Sequence, residues 1–438
     1  MVGTPVIWKS RGSRSGGFFR KNGSAVWRLI LLWLAGADLR LTLLAVPPVL
    51  PLIHRELGLD EKGVAALSGL PVLLLGLAAV PGSILIAKFG ARRALLTGLW
   101  LIATASALRG MGPSISILFP MTLLMGAGIA ICQPTMPALV RQWFPHAVPR
   151  ATGFWSNGLL VGELLAASLT LPLVLPLVGT WEAGFVVWSI PVGITALLVA
   201  ATTAHDVDDA SMFRGAGMPD WRIGRMWQLG VLQAAASLVY FGGNTFIPDY
   251  LHATDHPELV GAALMALNGG QVPASAVIGF VPLRLLARPV TSLGVAALVL
   301  VALAVVVALP GVPLVIAAGM FGFGAAYILV LSFALPPLLA RPSDVARLSA
   351  GAFTISYSST FVITLLAGAT WDATHVAASA FLPVLAASAI VVALGPRLVT
   401  AAMASAARQH LSDHDTADED HRQREAVQHE PATAADPE

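Results

Sequence analysis

The sequence contains few charged side chains. Only 11% of its 438 residues are Asp, Glu, Lys or Arg, whereas about 25% is usual for a soluble domain. Hydrophobic residues make up 56% of the chain, and the mean hydropathy is +0.77. This composition excludes a soluble globular enzyme, a nucleic-acid-binding protein and a disordered protein.

The chain also has almost no cysteine. Its single cysteine, Cys132, lies within an apolar run, so the sequence can build neither a disulfide framework nor a cysteine-based metal site. It contains no His-Glu-x-x-His pair, no Gly-x-x-x-x-Gly-Lys nucleotide loop and no cluster of carboxylate ligands. We therefore expect no metal, no cofactor and no enzyme activity, and we expect Cys132 to be a packing residue.

Long apolar runs follow one another along the chain. A helix of about 20 apolar residues crosses the hydrocarbon core of a bilayer. We therefore predict an all-α membrane protein with twelve transmembrane helices, at residues 26–53, 63–87, 94–111, 115–138, 151–177, 183–204, 226–250, 259–283, 290–309, 312–339, 346–370 and 377–402. The first run is too long for the core of a signal peptide, so we expect it to remain as an anchor.

The basic residues favour one side of the membrane. Of the 26 lysines and arginines, 22 lie in the N-terminal segment, in every second loop after it or near the C-terminus. Only Arg55 and Lys62 lie in loops on the other side. Because loops rich in Lys and Arg stay in the cytoplasm, we predict a multi-pass protein of the inner or plasma membrane with both termini in the cytoplasm.

The chain divides into two halves that resemble each other weakly. Pro81 precedes Arg92 by the same spacing with which Pro273 precedes Arg284, and spans 4 and 10 share a Gly-x-Gly-x-Ala motif followed by Pro-x-Leu-x-Arg. Such a repeat indicates two parallel six-helix halves, the architecture of the major facilitator superfamily, with a substrate site between them near the bilayer midplane. We therefore divide the chain into a basic cytoplasmic tail, an N-terminal half, a polar cytoplasmic linker, a C-terminal half and a disordered acidic, histidine-containing cytoplasmic tail, at residues 1–25, 26–204, 205–225, 226–404 and 405–438.

Two ionisable residues lie deep inside predicted spans. Arg40 is near the middle of span 1 and Glu163 near the middle of span 5. Charges at that depth cost at least about 2.5–3.5 kcal/mol each on insertion scales and usually have a function. Arg40 either binds a flat anionic group through its planar guanidinium or forms a structural pair with Glu163. Glu163 either couples transport to protons or is the static partner of Arg40; Asp38 is the second candidate for proton coupling.

Several other polar residues are candidates for the wall of a substrate cavity. Arg109, at the outer end of span 3, either snorkels to the interface or contacts the substrate. The neutral candidates are Gln133, Asn157, Gln233, Tyr240, Asn244, Asn268, Gln271, Tyr327 and Tyr357. The alternative for each is a hydrogen bond that only holds helices together.

Short motifs in four places resemble one family within this superfamily. They are Asp38-Leu39-Arg40 with Pro47-Pro48-x-Leu50-Pro51, Leu108-Arg109 before Pro113, Asn268-x-x-Gln271-x-Pro273-x-Ser275, and Trp371-Asp372-Ala373-Thr374. They resemble the cyanate permease and 2-nitroimidazole transporter family, and the similarity runs through roughly residues 26–400. Members usually have Asn-Leu-Arg-Pro in the first helix, where this chain has Asp38 and Leu41, and Ala87 replaces the acidic residue that the superfamily usually has after span 2.

This resemblance and the two buried charges predict a secondary active transporter. We expect a monomer in the lipid bilayer that moves a small anionic or planar polar solute by alternating access, coupled to protons. A multidrug efflux transporter is the alternative within the same architecture, although Arg40 disfavours cationic drugs. A membrane sensor without transport is the remote alternative.

Overall fold

The computed structural model describes the backbone of residues 15–59, 67, 71, 73–203 and 217–428. Side chains are described for residues 25–407 within those ranges, except 51 and 283. No strand occurs in this part of the chain, which consists of helices and short turns.

The described helices of the N-terminal half are α1 to α8. Their bounds are α1 Ser15–Leu44, α2 Val46–Leu57, α3 Ala79–Phe89, α4 Ala91–Arg109, α5 Ile115–Trp143, α6 Val148–Leu169, α7 Leu175–Val178 and α8 Trp181–Thr202. One turn of π-helix, Thr170–Val174, joins α6 to α7.

The C-terminal half contains α9 to α16. Their bounds are α9 Gly224–Ala253, α10 Val260–Phe280, α11 Leu283–Leu286, α12 Pro289–Ala308, α13 Val312–Ala334, α14 Pro336–Leu339, α15 Val345–Thr374 and α16 Leu382–Gln428. Short 3₁₀ turns at Pro257–Leu259, Pro342–Asp344 and Ala377–Phe381 precede α10, α15 and α16.

Within the described residues, nine helical segments are long and apolar enough to cross a membrane, and they correspond to predicted spans 1, 4, 5, 6 and 8–12. The helices at spans 3 and 7 are α4, with 19 residues, and α9, with 30 residues. They are more polar: α4 contains Arg92, Arg93 and Arg109, for example. Predicted span 2 falls partly outside the described residues, and its described end is α3.

The hydrogen-bond ladder of the first predicted span is interrupted at Ala45. α1 ends at Leu44, and α2 begins at Val46 with Pro47 and Pro48 in its first turn. Ala45 keeps right-handed helical angles, with φ −70° and ψ −19°. Proline has no backbone N–H, so these two residues cannot donate to the carbonyls four positions earlier, and only the ladder breaks there. Uniform hydrophobicity hid this break from the span prediction.

The C-terminal segment differs from the disordered tail that its composition predicts. α16 continues as helix to Gln428, whereas residues 429–438 lie outside the described part of the chain. The physical reason is that extending an existing helix costs far less than nucleating one. No Gly or Pro follows Pro396 before Pro431 to stop the extension. Most of the predicted linker, residues 204–216, also lies outside the description.

Basic side chains gather at one end of the helix bundle, which we call the basic end. It is the end that carries Lys88, Arg92, Arg150, Arg225, Arg284, Arg341 and Arg347. Arg92 connects α4 to the C-terminal end of α8 there. Its Nε donates to Thr203 Oγ1 at 2.8 Å, and its Nη2 donates to the Ala200 carbonyl at 3.0 Å.

The two halves contact each other near the basic end. In the described residues, α6 packs against α10 and α13, and α15 packs against α3 and α5. We call the contact between the halves the seam. It is close, because a Cβ atom on Gly153 would lie 3.0 Å from the Gly279 Cα atom. Thr354 Oγ1 also donates across the halves to the Gly76 carbonyl at 2.7 Å. The structure is therefore closed at the basic end.

Glycines let α1 and α6 approach each other closely. A Cβ atom on Gly36 would overlap the Trp155 carbonyl, and one on Gly158 would overlap the Trp33 carbonyl. A Cβ on Gly162 would overlap the Ala37 carbonyl in the same way. Small residues are the usual means by which helices associate in membranes, where close packing replaces the hydrophobic driving force.

We predict that Gly162→Ala lowers the stability of the protein by about 1–3 kcal/mol, because the added methyl group has to push the α1 backbone away. The matched control is Gly193→Ala in α8, where an added Cβ meets no atom within 4 Å. Thermal unfolding of both purified variants in the same detergent measures the difference. Equal melting temperatures for the two variants would show that the contact between α1 and α6 tolerates a methyl group.

Candidate functional site

Arg40 and Glu163 lie near each other in the middle of the N-terminal half. Each has only 3% of its surface exposed. The close contact between Ala37 and Gly162 brings the two helices together one turn before Arg40 and one residue before Glu163. The opposite charges of the guanidinium and the carboxyl influence each other, although the described residues form no direct ion pair between them. The structure therefore places the two ionisable residues that the sequence singles out in one region, without a direct salt bridge.

Tyr357 extends this site to the C-terminal half. Its hydroxyl lies beside the Arg40 guanidinium, and Gln133 Nε2 of α5 donates to it at 3.3 Å. Tyr357 and Gln133 have 2% and 0% of their surfaces exposed. The site is thus built from α1, α5 and α6 on one side and α15 on the other. We call this group of Arg40, Glu163, Gln133 and Tyr357 the central site.

Polar atoms remain available in this site. Arg40 Nε and Gln133 Oε1 are buried and have no hydrogen-bond partner among the described residues. Buried donors and acceptors are almost always paired in folded proteins. A free donor on a guanidinium beside a free acceptor on an amide suits a small polar solute that can pair with both.

The amides of α9 and α10 form a second polar group. Gln271 Nε2 donates to Asn268 Oδ1 at 2.9 Å, and Asn268 Nδ2 donates to Asn244 Oδ1 at 3.0 Å. Asn244 Nδ2 donates in turn to the Tyr240 carbonyl at 3.0 Å. The structure therefore connects four of the predicted cavity residues in one ladder within the C-terminal half.

Asn157 lies at the seam between the halves. It accepts from Trp33 Nε1 at 3.0 Å and donates to Ser275 Oγ at 3.0 Å and to the Val272 carbonyl at 3.3 Å. Both amide hydrogens are therefore directed to α10. A cavity of about 170 Å³ lies next to it, lined by residues that include Gly153 and Gly279.

Asp38 and Arg109 lie behind α1, away from the Arg40 group. Asp38 is 2% exposed and hydrogen-bonds to Thr195 of α8, while its Oδ2 has no partner among the described residues. Arg109 has no exposed surface, so the snorkelling alternative is wrong. Its guanidinium contacts Thr42, Ser106 and Phe185 rather than the Arg40 group.

Three predicted residues remain, and each is buried by packing. Gln233 of α9 is 1% exposed, and neither of its amide atoms has a hydrogen-bond partner among the described residues. Tyr327 of α13 is 6% exposed. Cys132 is buried, and its Sγ occupies the place where a Cβ on Gly98 would stand. In the described part of the chain, no three His, Cys, Asp or Glu side chains gather as a metal site requires.

An aromatic series beneath the site escaped the sequence analysis. Tyr357 stacks with Phe353 at 6.1 Å between ring centroids, Phe353 meets Phe333 edge-on at 5.4 Å, and Phe333 stacks on Trp155 at 5.2 Å. The series runs from the polar site to α6 and crosses from one half to the other. Aromatic residues in apolar runs carry no signal that distinguishes a stack between halves from ordinary packing.

Comparisons with known proteins agree with this architecture. The chain matches the Major Facilitator Superfamily over residues 29–364. The cyanate transport protein CynX of Escherichia coli (strain K12) is 28% identical over 244 residues, which are 56% of this chain and 63% of CynX. The 2-nitroimidazole transporter of the same organism is 27% identical over 230 residues, which are 52% of this chain and 58% of that protein.

The match spans less than two thirds of the length of each of these two relatives, and it confirms the resemblance that the sequence motifs indicate. Among solved structures, the major facilitator superfamily transporter FucP in the outward conformation has a TM-score of 0.63 at 14% identity, covering 86% of this chain and 98% of FucP. At that identity the likeness concerns the fold alone. With twelve predicted spans, an all-α structure and a family match over most of its length, the chain belongs to the major facilitator superfamily.

Proposed function

We propose that this chain is a secondary active transporter of a small anionic or planar polar solute. The observation that carries the proposal is the buried Arg40 guanidinium, whose Nε has no partner among the described residues. A guanidinium stays charged when buried and fits planar oxyanions and carboxylates with paired donors. The names of the two relatives, which refer to cyanate and 2-nitroimidazole, support a small and flat solute.

The proposed mechanism is alternating access between the two halves. Since Lys- and Arg-rich loops stay in the cytoplasm, the basic end is the cytoplasmic end, and both termini lie on that side of the inner or plasma membrane. The structure is closed there, so it corresponds to a state in which the cytoplasmic path is shut. One chain supplies both halves, and the transporter works as a monomer.

Protons couple to transport through Glu163 in this proposal. An anion that binds Arg40 places a second negative charge beside the Glu163 carboxylate. Like charges at short distance favour protonation of one of them, so Glu163 takes up a proton as the anion binds. One anion and one proton then cross together. Asp38, which has no carboxylate or cation among its described partners, is the second candidate for the proton carrier.

Multidrug efflux is the alternative function in the same fold. A cationic drug in the central site would face Arg40, and like charges at such short range are costly. A sensor without transport is distinguished by flux alone, because it would bind the solute without moving it.

We predict that Arg40→Ala and Arg40→Lys reduce cyanate uptake into proteoliposomes. Loss of a charged hydrogen bond costs about 1.5–3 kcal/mol, which is about tenfold or more in apparent affinity. Lysine keeps the charge but not the planar fork, so its effect is smaller than that of alanine. Arg284→Gln, at an exposed position of the basic end, is the control. Uptake at wild-type rate and affinity in both Arg40 variants would disprove anion binding by Arg40, and uptake of ethidium instead of cyanate by the wild type would favour efflux.

A second prediction concerns coupling. Glu163→Gln abolishes cyanate accumulation driven by a pH gradient, because glutamine cannot carry a proton, but it retains exchange of labelled for unlabelled cyanate. Glu258→Gln is the matched control, since Glu258 is exposed and pairs only with His256 at 3.4 Å in the described structure. Persistent pH-driven accumulation in Glu163→Gln would move the coupling site to another carboxyl, first of all Asp38.

A third prediction concerns the electrostatic interaction between Arg40 and Glu163. Arg40→Gln and Glu163→Gln should each destabilise the protein by about 1–3 kcal/mol, since each leaves the other buried charge without an opposite charge near it. The double variant should lose less than the sum of the two. Thermal unfolding of the four proteins in nanodiscs measures this coupling. Strict additivity would mean that the two side chains do not stabilise each other.

A further inference from the structure

We infer that Arg109 is a positioning residue that holds the end of α1, and with it Arg40, instead of touching the solute. This inference rests on the proposed role of Arg40. It assigns a function to a buried charge that lies outside the central site.

The described contacts of Arg109 lie on α1, on its own helix α4 and on α8. One guanidinium nitrogen donates to the Thr42 carbonyl at 2.9 Å and to Ser106 Oγ at 3.1 Å. The guanidinium carbon lies 4.4 Å from the centre of the Phe185 ring. In the described residues, no carboxylate lies within ion-pair distance of Arg109, and its side chain has no exposed surface. The side chain therefore joins α1 to α4 and α8.

The attachment point lies immediately before the break in the first span. Thr42 is in the last turn of α1, which ends at Leu44, and Pro47 and Pro48 follow in the first turn of α2. Pro47 and Pro48 remove the donors to the Leu43 and Leu44 carbonyls. Arg109 donates to the carbonyl one residue earlier, that of Thr42. It therefore adds a donor from a neighbouring helix to the turn in which the helix ladder becomes incomplete.

We call the contact of Arg109 with the Thr42 carbonyl the clamp. The geometry of α1 connects this clamp to the central site. Thr42 follows Arg40 by two residues, which is a rotation of about 200° around a helix. Arg40 therefore faces Tyr357 and Glu163, while Arg109 holds the opposite side of the same turn at Thr42. On a third side, the glycine contact between Ala37 and Gly162 holds α1 against α6. Without Arg109, this turn would keep the α6 contact and the bond between Asp38 and Thr195 of α8, but it would lose the charged donor at the Thr42 carbonyl.

The choice of arginine also fits this role. A buried cation without a carboxylate needs several compensating partners. The aromatic face of Phe185 supplies one, and the carbonyl and the hydroxyl supply two more at Nη2. Nε and Nη1 are buried without a hydrogen-bond partner among the described residues. Lysine can donate to the carbonyl but cannot stack as a plane on the ring.

The experiment combines a local measurement with a binding measurement, both on the full chain in nanodiscs. Hydrogen–deuterium exchange is measured for peptides that cover residues 41–50 in the wild type, Arg109→Gln, Arg109→Lys and Arg40→Gln. We expect exchange there to rise about tenfold or more in Arg109→Gln, from loss of a charged hydrogen bond, and to rise less in Arg109→Lys. Arg40→Gln should raise it no more than it raises exchange in peptides from α12, which serve as the internal reference, whereas Arg109→Gln should raise it beyond that reference.

The binding measurement separates positioning from direct contact. Affinity for cyanate is obtained from thermal stabilisation of Arg40→Gln, Arg109→Gln and the double variant. A positioning residue acts only through Arg40, so the double variant should bind as weakly as Arg40→Gln and no more weakly. A further loss of about tenfold in the double variant would identify Arg109 as an independent ligand and would overturn the inference.

Unchanged exchange over residues 41–50 in Arg109→Gln would also overturn it. If Arg109→Gln does not fold, Phe185→Leu tests the same clamp by removing the ring under the guanidinium, and exchange should rise there too. Absence of cyanate binding in the wild type would refute the proposed substrate class. In that event, or if Arg40→Gln alone removes all measurable binding, the exchange measurement by itself tests whether Arg109 holds the end of α1.

Discussion

A guanidinium and a carboxyl buried near each other in an apolar bundle impose the strongest constraint on this structure. Each charge is costly at that depth, by at least about 2.5–3.5 kcal/mol on insertion scales, so the surrounding helices have to bring the two together and keep them there. The glycine contacts between α1 and α6 do so by allowing the two backbones to touch. Replacing the charges with apolar residues would remove this cost, and their retention in the fold therefore points to a function.

The polar site and the closed basic end belong to one connected arrangement. Tyr357 contacts the Arg40 group with its hydroxyl and begins the aromatic series with its ring. That series ends at Trp155, which is on α6, the same helix that carries Glu163. A change at the polar site can therefore act on the contact between the halves through packed rings. In the proposed mechanism, this series is the contact that has to separate when the cytoplasmic path opens.

On the side of α1 that faces α4 and α8, a different set of contacts determines where the site residues lie. The hydrogen-bond ladder is incomplete between α1 and α2, and Arg109 and the glycine contacts with α6 restrain the end of α1 from two sides. The first span thus combines an interrupted ladder with a charged residue just before it. A transporter that alternates between states needs a site that is firmly built but carried on elements that can move.

From the sequence alone, the membrane class, most of the spans, the two-half organisation and the family could be predicted. These features depend on local hydrophobicity, on charge counts and on short motifs, all of which are properties of contiguous residues. The importance of Arg40 and Glu163 was also predictable, because a charge within an apolar run is visible without a structure. The break after Leu44 and the helical extension to Gln428 were not foreseen, although prolines at the first and the absence of Gly and Pro at the second gave a local signal.

The tertiary structure alone decided which residues share a site. Glu163, Gln133 and Tyr357 are distant in sequence from Arg40, and only helix packing brings them to it. Packing also placed Arg109 behind α1 and Asn157 at the seam, although in sequence they resembled the other polar candidates. A residue's depth in a span is determined by its position along one helix, whereas the direction it faces is determined by its neighbours. The sequence therefore determined that charges are buried in the membrane, and the fold decided which of them meet.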